Sequence, residues 1–309
     1  MTVAMTPTSA LLGGLGLAVV LFSLVWLASL RSRDVSLVDR FWGPGFALLA
    51  SSWPLAMASA SPRSALVAIL VGVWGLRLGW HIHRRNRGHR EDPRYAAMRA
   101  RSPRTFAWTS LVTVFLLQAV LQWLVAWPLW AVACPGTPAL GALDAVAALF
   151  WAVGFAFESV GDAQLAAFKR EPLNRGRIMD RGLWAWTRHP NYFGDACVWW
   201  GMALFALAAR APWWVYAGPA LMTLLLARVS GVGLLEATMR ARPGWDDYAR
   251  RTSASFPRGS RHRRRRARAS ETRSRRRACD RAEPNSAHIT PDAARRANAA
   301  PIGIAPASA

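Results

Sequence analysis

Seven stretches of this sequence are each long and apolar enough to cross a lipid bilayer. They lie at roughly 10–30, 41–59, 64–82, 106–133, 142–167, 192–209 and 212–235, close to the ~20 residues that a membrane helix needs. Apolar residues make up 53% of the chain and it carries 17 tryptophans, more than one soluble core can hide. The stretches therefore predict an all-α fold, a polytopic membrane bundle of about seven transmembrane helices.

Arginine alternates between the connecting segments. Three arginines follow the first stretch, eight lie between Arg84 and Arg104, and further clusters occupy 169–188 and the region from Arg240 onward, whereas the intervening segments hold one at most. The positive-inside rule then places the N-terminus outside and the C-terminus in the cytosol. We expect an integral, multi-pass membrane protein, in the plasma membrane if the source is bacterial.

The last 52 residues differ in composition from the rest. From Arg258 onward there are fourteen arginines and four acidic residues, so this segment carries +10 of the net charge of +22. We predict a membrane domain over 1–257 and a disordered Arg/Ala-rich basic tail over 258–309. The tail could attach to anionic headgroups or bind nucleic acid, or it is a passive extension, which we favour, so nucleic acid is not an expected partner. Three scattered cysteines predict neither a disulfide framework nor a metal knuckle.

Charged side chains interrupt the apolar stretches and fall in a pattern. Glu158, Asp162, Leu165 and Lys169 follow helical spacing, which puts both acids and the lysine on one stripe. Each buried charge costs about 2.5 to 3.5 kcal/mol in a membrane unless it is paired or wet. A polar stripe inside a bundle indicates a pocket wall. Lys169 is alternatively a cation that snorkels to the membrane edge.

The third stretch shows the same spacing with basic groups. Arg77, His81 and Arg84 share a helix face that leads into the arginine-rich segment. This face is either a wall of anion-binding groups or a loop that sets the topology. The histidines here lack a cysteine or carboxylate pattern at ligand spacing, so no metal site is expected.

The segment "RHPNYFGD" combines helix-start residues with polar side chains. Pro190 and Asn191 predict that a helix begins here, with free backbone N–H groups beside Arg188 and His189. Such an end binds anions. A dinucleotide could be held with its phosphates on these basic groups and its amide and ribose on Asn191, Tyr192 and Asp195, with Trp184 and Tyr192 as stacking faces. The alternative is an ordinary interfacial turn.

Five segments in order resemble the membrane family of steroid 5-alpha-reductase-like proteins of the DUF1295 type. They cover almost everything from Val38 to Pro257, which makes the resemblance specific, although the Arg-His-Pro turn alone also occurs in isoprenylcysteine methyltransferases. The segments are "VDRFWGPGF", "WGLRLGWHIHRRNRGHREDPRY", "GFAFESVGDAQLAAFKR", "RGLWAWTRHPNYFGDACVWWG" and "SGVGLLEATMRARPGWDDYARRTSASFP".

The resemblance implies a seven-helix reductase that binds NADPH from the cytosolic side. It implies reduction of a carbon–carbon double bond conjugated to a carbonyl, in a steroid-like or other lipid substrate. Carried over by motif, the cofactor-contacting positions are Asp162, Lys169, Asn191, Tyr192, Asp195 and Tyr248. Relatives usually have Glu where this chain has Asp195, and the closing segment departs from the pattern where the basic tail begins.

Hydride delivery to an enone also needs a hydrogen-bond donor near the carbonyl oxygen. Glu158, if buried and protonated, is one candidate, and Gln118 in the fourth stretch is another. A purely structural role for Glu158 remains an equal alternative.

Two other functions compete with the reductase. An S-adenosylmethionine-dependent methyltransferase of the isoprenylcysteine type would use the Arg-His-Pro turn with Glu236 and Tyr248, but it leaves "VDRFWG" and "DAQLAAFKR" unexplained. A transporter or lipid-binding scaffold would use the buried charges as a pathway and would need no cofactor.

Overall fold

The computed structural model describes residues 4–229, 232–254, 256 and 257, with the backbone alone for 229 and 232–235. In this part of the chain the regular structure is helical, and one isolated backbone bridge joins Thr187 to Ser253. The predicted tail lies outside the described residues. The helices are α1 (Pro7–Ser32), α2 (Leu37–Arg40), α3 (Trp42–Ala56), α4 (Pro62–Asn86), α5 (Pro93–Arg101), α6 (Phe106–Val125), α7 (Trp127–Ala133), α8 (Ala142–Arg170), α9 (Pro190–Ala208), α10 (Ala217–Leu224), α11 (Val232–Met239) and α12 (Trp245–Arg251).

Four of these helices, α1, α4, α6 and α8, are long and apolar enough to cross a membrane. The all-α fold and the membrane-type helices are thereby confirmed. The other three predicted stretches coincide with α3, α9 and the region of α10, but the count of seven crossings and the orientation of the termini stay predictions.

Two predicted stretches are less regular than their composition suggests. The fourth ends at Val125 and restarts as α7, because Pro128 in the first turn of α7 has no N–H to continue the helix. The seventh begins with a 3₁₀ turn, Trp213–Tyr216, and α10 then widens into a π-helical segment, Leu225–Val229. Hydropathy records apolar length but not these interruptions.

Helices α8 and α9 form an antiparallel hairpin with very close backbones. A Cβ atom on Gly194 would lie 2.5 Å from the Gly154 carbonyl oxygen and 2.5 Å from the Glu158 backbone nitrogen. Further along the hairpin, a Cβ on Gly201 would be 3.0 Å from the Trp151 nitrogen. Small residues allow this approach, as in other membrane helix pairs. The approach sets the start of α9 directly against the part of α8 that carries Glu158 and Asp162.

Helices α3 and α4 approach each other in the same way. Gly43 and Gly75 face each other backbone to backbone, with no room for a side chain at either position. Trp42 and Trp74 each precede one of these glycines in the sequence. The contact therefore brings both rings into one aromatic layer with Phe46 and Trp199.

A buried ion pair joins α4 and α8 at the end of the bundle where both helices begin. Arg63 at the start of α4 donates to both carboxylate oxygens of Asp144 at the start of α8, at 2.7 and 2.9 Å. It also donates to the carbonyl oxygens of Pro138 and Ala139. Both charges are nearly inaccessible and fully bonded, which is the condition under which a buried pair is tolerated.

We expect Gly194→Ala to destabilise the protein by about 1–3 kcal/mol, because the new methyl group collides with backbone atoms of α8. Gly16→Ala in α1 is the matched control, since nothing lies within 4 Å of the added Cβ. Thermal unfolding in detergent measures both. Equal unfolding midpoints for the two variants would contradict the close packing of α8 on α9.

Candidate functional site

Arg77 of α4 bridges two buried carboxylates of α8. Its Nη2 donates to Glu158 Oε1, and its Nη1 donates to Asp162 Oδ2 at 2.8 Å. His81, one turn further along α4, lies with its Nε2 3.7 Å from the same Asp162 oxygen. The predicted stripes on the two helices therefore face each other and meet as an ion cluster.

The hydrogen bonds of Glu158 bear on its expected role. While Oε1 accepts from Arg77, Oε2 accepts from the indole N–H of Trp74 at 2.7 Å, and the residue is 3% exposed. With both oxygens accepting, the geometry favours a structural role for Glu158. The role of Glu158 as a hydrogen-bond donor stays a prediction that this arrangement does not support.

Two acceptor oxygens at the start of α9 are left open. The helix begins at Pro190, as predicted, with His189 preceding it. Asn191 Oδ1 and Asp195 Oδ1 are both shielded from solvent and have no hydrogen-bond partner among the described residues. Their i, i+4 spacing puts them on one face of α9. Buried acceptors of this kind are costly until a donor reaches them, and the Trp199 indole N–H lies near the Asp195 carboxyl.

Arg188 and His189 are engaged within the protein. Arg188 Nε donates to Glu236 Oε1 at 2.8 Å, and its Nη1 donates to the carbonyl oxygens of Ala249 and Thr252. His189 Nε2 lies 3.2 Å from the same Glu236 oxygen, and its ring stacks on Tyr192. These contacts clamp the residues around α12 onto the start of α9. Cofactor binding by Arg188 and His189 stays a prediction, and their contacts are those of a clamp.

Tyr248 belongs to the same clamp. Its hydroxyl donates to the Trp184 carbonyl oxygen at 2.8 Å, and the Trp184 indole N–H donates to the Gly161 carbonyl oxygen at 2.9 Å. Burial raises the pKa of Tyr248. The segment that contains α12 is thus connected through Trp184 to Gly161, the residue before Asp162.

Exposed cations surround this end of the bundle, which we call the basic end. Lys169 at the end of α8 is exposed and lies within electrostatic reach of Arg85 and Arg242. It forms no ion pair with Glu158 or Asp162, so the predicted stripe continues in sequence but not in contact. A cavity of about 520 Å³ opens here between the segment after α8 and the start of α12. It is lined by Arg175, Gly176, Arg177, Ile178, Asp180, Pro243, Gly244, Tyr248 and Arg251.

A second polar cluster near the basic end was missed by the sequence reasoning. The Tyr95 hydroxyl donates to Asp39 Oδ1 at 3.2 Å, and Arg94 lies 3.5 Å from the other Asp39 oxygen. Burial raises the pKa of Asp39 above its ordinary value despite the charge of Arg94. Both residues stand in segments quoted above for the family resemblance, but no local spacing pairs two residues 56 positions apart.

Gln118 lies in a different place, on α6. Its Oε1 accepts from the indole N–H of Trp42 at 2.6 Å. The structure therefore does not bring Gln118 into contact with Glu158, and the aromatic layer of Trp42, Phe46, Trp74 and Trp199 lies between them.

This fold and site define a helical protein with membrane-type helices and a charged, partly unsatisfied centre near one end. The family model described as a protein of unknown function (DUF1295) matches residues 25–252. The chain belongs to the DUF1295 family, which is steroid 5-alpha-reductase-like.

The comparison with curated proteins adds a distant relative. An uncharacterized protein of Schizosaccharomyces pombe is 27% identical over 228 residues, which span 65% of this chain and 66% of the relative. No solved structure matches the chain.

Arg77→Met should destabilise the protein by about 3–5 kcal/mol, because it leaves Glu158 and Asp162 buried without their guanidinium. Arg84→Met, an exposed position on the same helix, should change stability by no more than about 0.5 kcal/mol. Adding Glu158→Gln to Arg77→Met should recover part of the loss. Chemical unfolding in detergent gives all three values, and equal effects at positions 77 and 84 would refute the cluster.

Stability should also fall as the pH falls below about 6.5, the ordinary pKa of histidine. Burial lowers the pKa of His189 in the folded protein although Glu236 opposes this effect. The folded state then binds fewer protons than the unfolded state, so acidification favours unfolding.

The measurement is the thermal midpoint between about pH 7.5 and 5.5. His189→Gln should flatten the dependence, while His89→Gln, at an exposed position, should keep it. A slope that His189→Gln leaves unchanged would remove His189 as its cause.

Proposed function

We propose that this protein is a membrane-embedded, NADPH-dependent reductase of a conjugated carbon–carbon double bond in a steroid-like or other lipid enone. The observation that carries the proposal is the pair of buried, unpartnered acceptors, Asn191 Oδ1 and Asp195 Oδ1, beside the ion cluster. Membership of a steroid 5-alpha-reductase-like family supports the same reaction class.

The residues present fit this cofactor. A nicotinamide carboxamide and ribose hydroxyls are hydrogen-bond donors, which is what two open acceptor oxygens require. Phosphates need cations, and the basic end offers Lys169 and Arg85 together with Arg175 and Arg177 at the cavity. Asn191 and Asp195 would hold the reacting end of the cofactor, and the exposed basic groups would hold its phosphates.

The chemistry requires a dry, oriented centre. When bound, NADPH would supply a hydride to the β-carbon of the enone, and a proton added at the α-carbon would complete the reduction. Phe46, Trp74 and Trp199 are fully buried and form an apolar layer that excludes bulk water. Arg77 fixes the carboxylates of α8 beside this layer. The exclusion of water strengthens every polar contact made there.

One observation favours a second candidate, an S-adenosylmethionine-dependent methyltransferase. Arg188, His189 and Glu236, the residues which that function would use, meet within hydrogen-bond distance. They satisfy one another, however, whereas the acceptors on Asn191 and Asp195 are open. Both cofactors carry donors for the open groups, so it is the family membership that favours the reductase.

Equilibrium binding of NADPH and of S-adenosylmethionine to the full chain in detergent tests the proposal. We expect NADPH to bind and Asn191→Ala to weaken its binding up to about tenfold, the value of one buried hydrogen bond. Ser51→Ala, an exposed position whose hydroxyl bonds only its own helix, should leave the affinity unchanged.

Selective binding of S-adenosylmethionine would contradict the reductase function and support the methyltransferase function. A folded wild-type protein that binds neither ligand would contradict both enzyme functions and favour the scaffold.

A further inference from the structure

We infer that an anionic phospholipid binds at one corner of the basic end, where α1 ends, α5 ends and α6 begins. We call it the α1–α6 corner. Its apolar surface takes the acyl chains, and Arg31, Arg101 and Arg104 take the phosphate. The inference goes beyond the proposed function and does not depend on it, because the corner shares no residue with the proposed cofactor site.

Two tryptophans fix the start of α6 against α1. The Trp26 indole N–H donates to the Ala107 carbonyl oxygen at 2.8 Å, and the rings of Trp26 and Trp108 lie with centroids 5.4 Å apart. Trp26 is buried, whereas Trp108 is 69% exposed. The buried ring therefore supports the exposed one at a fixed position. An exposed tryptophan at the end of a membrane-type helix is typical of the level of the lipid headgroups.

An apolar surface extends from this tryptophan pair along α1. Its members are more than half exposed, namely Val20, Leu24 and Leu27. With Arg31 they follow i, i+4, i+7 and i+11 spacing, which puts them on one stripe of the helix. The stripe is about 16 Å long at 1.5 Å per residue. On α6, Val112 is exposed one turn after Trp108. Acyl chains can lie along this surface, and the stripe ends in a cation.

The cations of the corner have no acidic partner within the protein. The neighbouring carboxylates are already paired, Asp34 with Arg40, Asp39 and Asp92 with Arg94, and Glu91 with Arg99. Arg31, Arg101 and Arg104 are exposed, and none forms an ion pair in the part of the chain that the structure describes. Their charge is therefore uncompensated, and arginine is well suited to phosphate.

The cations and the apolar stripe lie on opposite sides of the tryptophan pair. Helices α1 and α6 run in opposite directions, because Trp26 contacts Ala107 while Trp123 donates to the Leu11 carbonyl oxygen. Arg31 follows Trp26 by five residues, and Arg104 precedes Trp108 by four. Both arginines therefore lie beyond the tryptophans, toward the basic end.

This arrangement defines the ligand by its chemistry. A molecule that matches both sides has apolar chains at one end and a negative charge at the other. A soluble phosphate compound would leave the apolar stripe uncovered. A phosphatidylcholine would bring a trimethylammonium group to three arginines, whereas a phosphatidylglycerol brings a net negative charge. The corner therefore fits an anionic phospholipid.

The test counts the lipids bound to the full chain in a non-ionic detergent by native mass spectrometry. Phosphatidylglycerol and phosphatidylcholine with identical acyl chains are compared. The wild-type protein should bind one phosphatidylglycerol more tightly than phosphatidylcholine. Arg104→Gln should weaken the binding of phosphatidylglycerol about fivefold, the effect of one surface cation, and leave phosphatidylcholine unchanged. Adding Arg101→Gln should weaken it about fivefold again.

Matched variants separate the corner from general effects of charge and ring. Arg170→Gln removes the same charge from an exposed position at the end of α8 and should leave both affinities unchanged. Trp108→Ala should weaken both lipids alike, because the ring contacts the chains. Trp213→Ala, 83% exposed at the opposite end of the bundle, should weaken neither. Thermal unfolding midpoints should stay close to wild type, since all these positions are exposed.

Equal affinities of the wild-type protein for the two lipids overturn the inference, and so does a preference that survives Arg101→Gln with Arg104→Gln. A third probe is glycerophosphoglycerol, the headgroup without acyl chains. If it displaces phosphatidylglycerol at equal concentration, the corner binds soluble phosphate compounds and the lipid assignment is wrong. NADPH binding should be the same in Arg104→Gln as in wild type, so the outcome for the corner is separate from that for the proposed function.

Discussion

The guanidinium of Arg77 makes the centre of this bundle possible. It holds Glu158 and Asp162 in an apolar environment where an isolated carboxylate would cost several kcal/mol. By occupying both acids, it leaves Asp195 and Asn191 on the facing helix with open acceptors. The candidate site is thus built around an ion cluster whose carboxylates are buried and whose guanidinium is partly exposed.

A second ion pair makes the two ends of the bundle chemically different. Arg63 and Asp144 lie fourteen residues before Arg77 and Glu158 on the same two helices, about 21 Å away at 1.5 Å per residue. At that end every donor and acceptor of the pair is satisfied. At the basic end, acceptors and cations remain available. The groups that could bind a polar ligand are therefore concentrated at the basic end.

The Arg-His-Pro-Asn-Tyr segment makes different contacts before α9 and within its first turn. Arg188 and His189, before the helix, bind Glu236 and the carbonyl groups around α12. Asn191 and Asp195, within it, face α8 across the glycine contacts. One short motif thus carries both a structural clamp and the open part of the site. Its composition alone predicted that the basic pair would also bind a ligand, through the phosphates of a dinucleotide.

The sequence by itself determined the helical membrane-type architecture, the start of α9 at Pro190 and the shared face of Glu158 and Asp162, because apolar length, proline position and helical spacing are local properties. Only the tertiary structure decided which charges meet. Arg77 with Glu158, Arg188 with Glu236, Tyr95 with Asp39 and Trp42 with Gln118 are pairs 48 to 81 residues apart. Helix packing creates them, and no spacing along the chain encodes that packing.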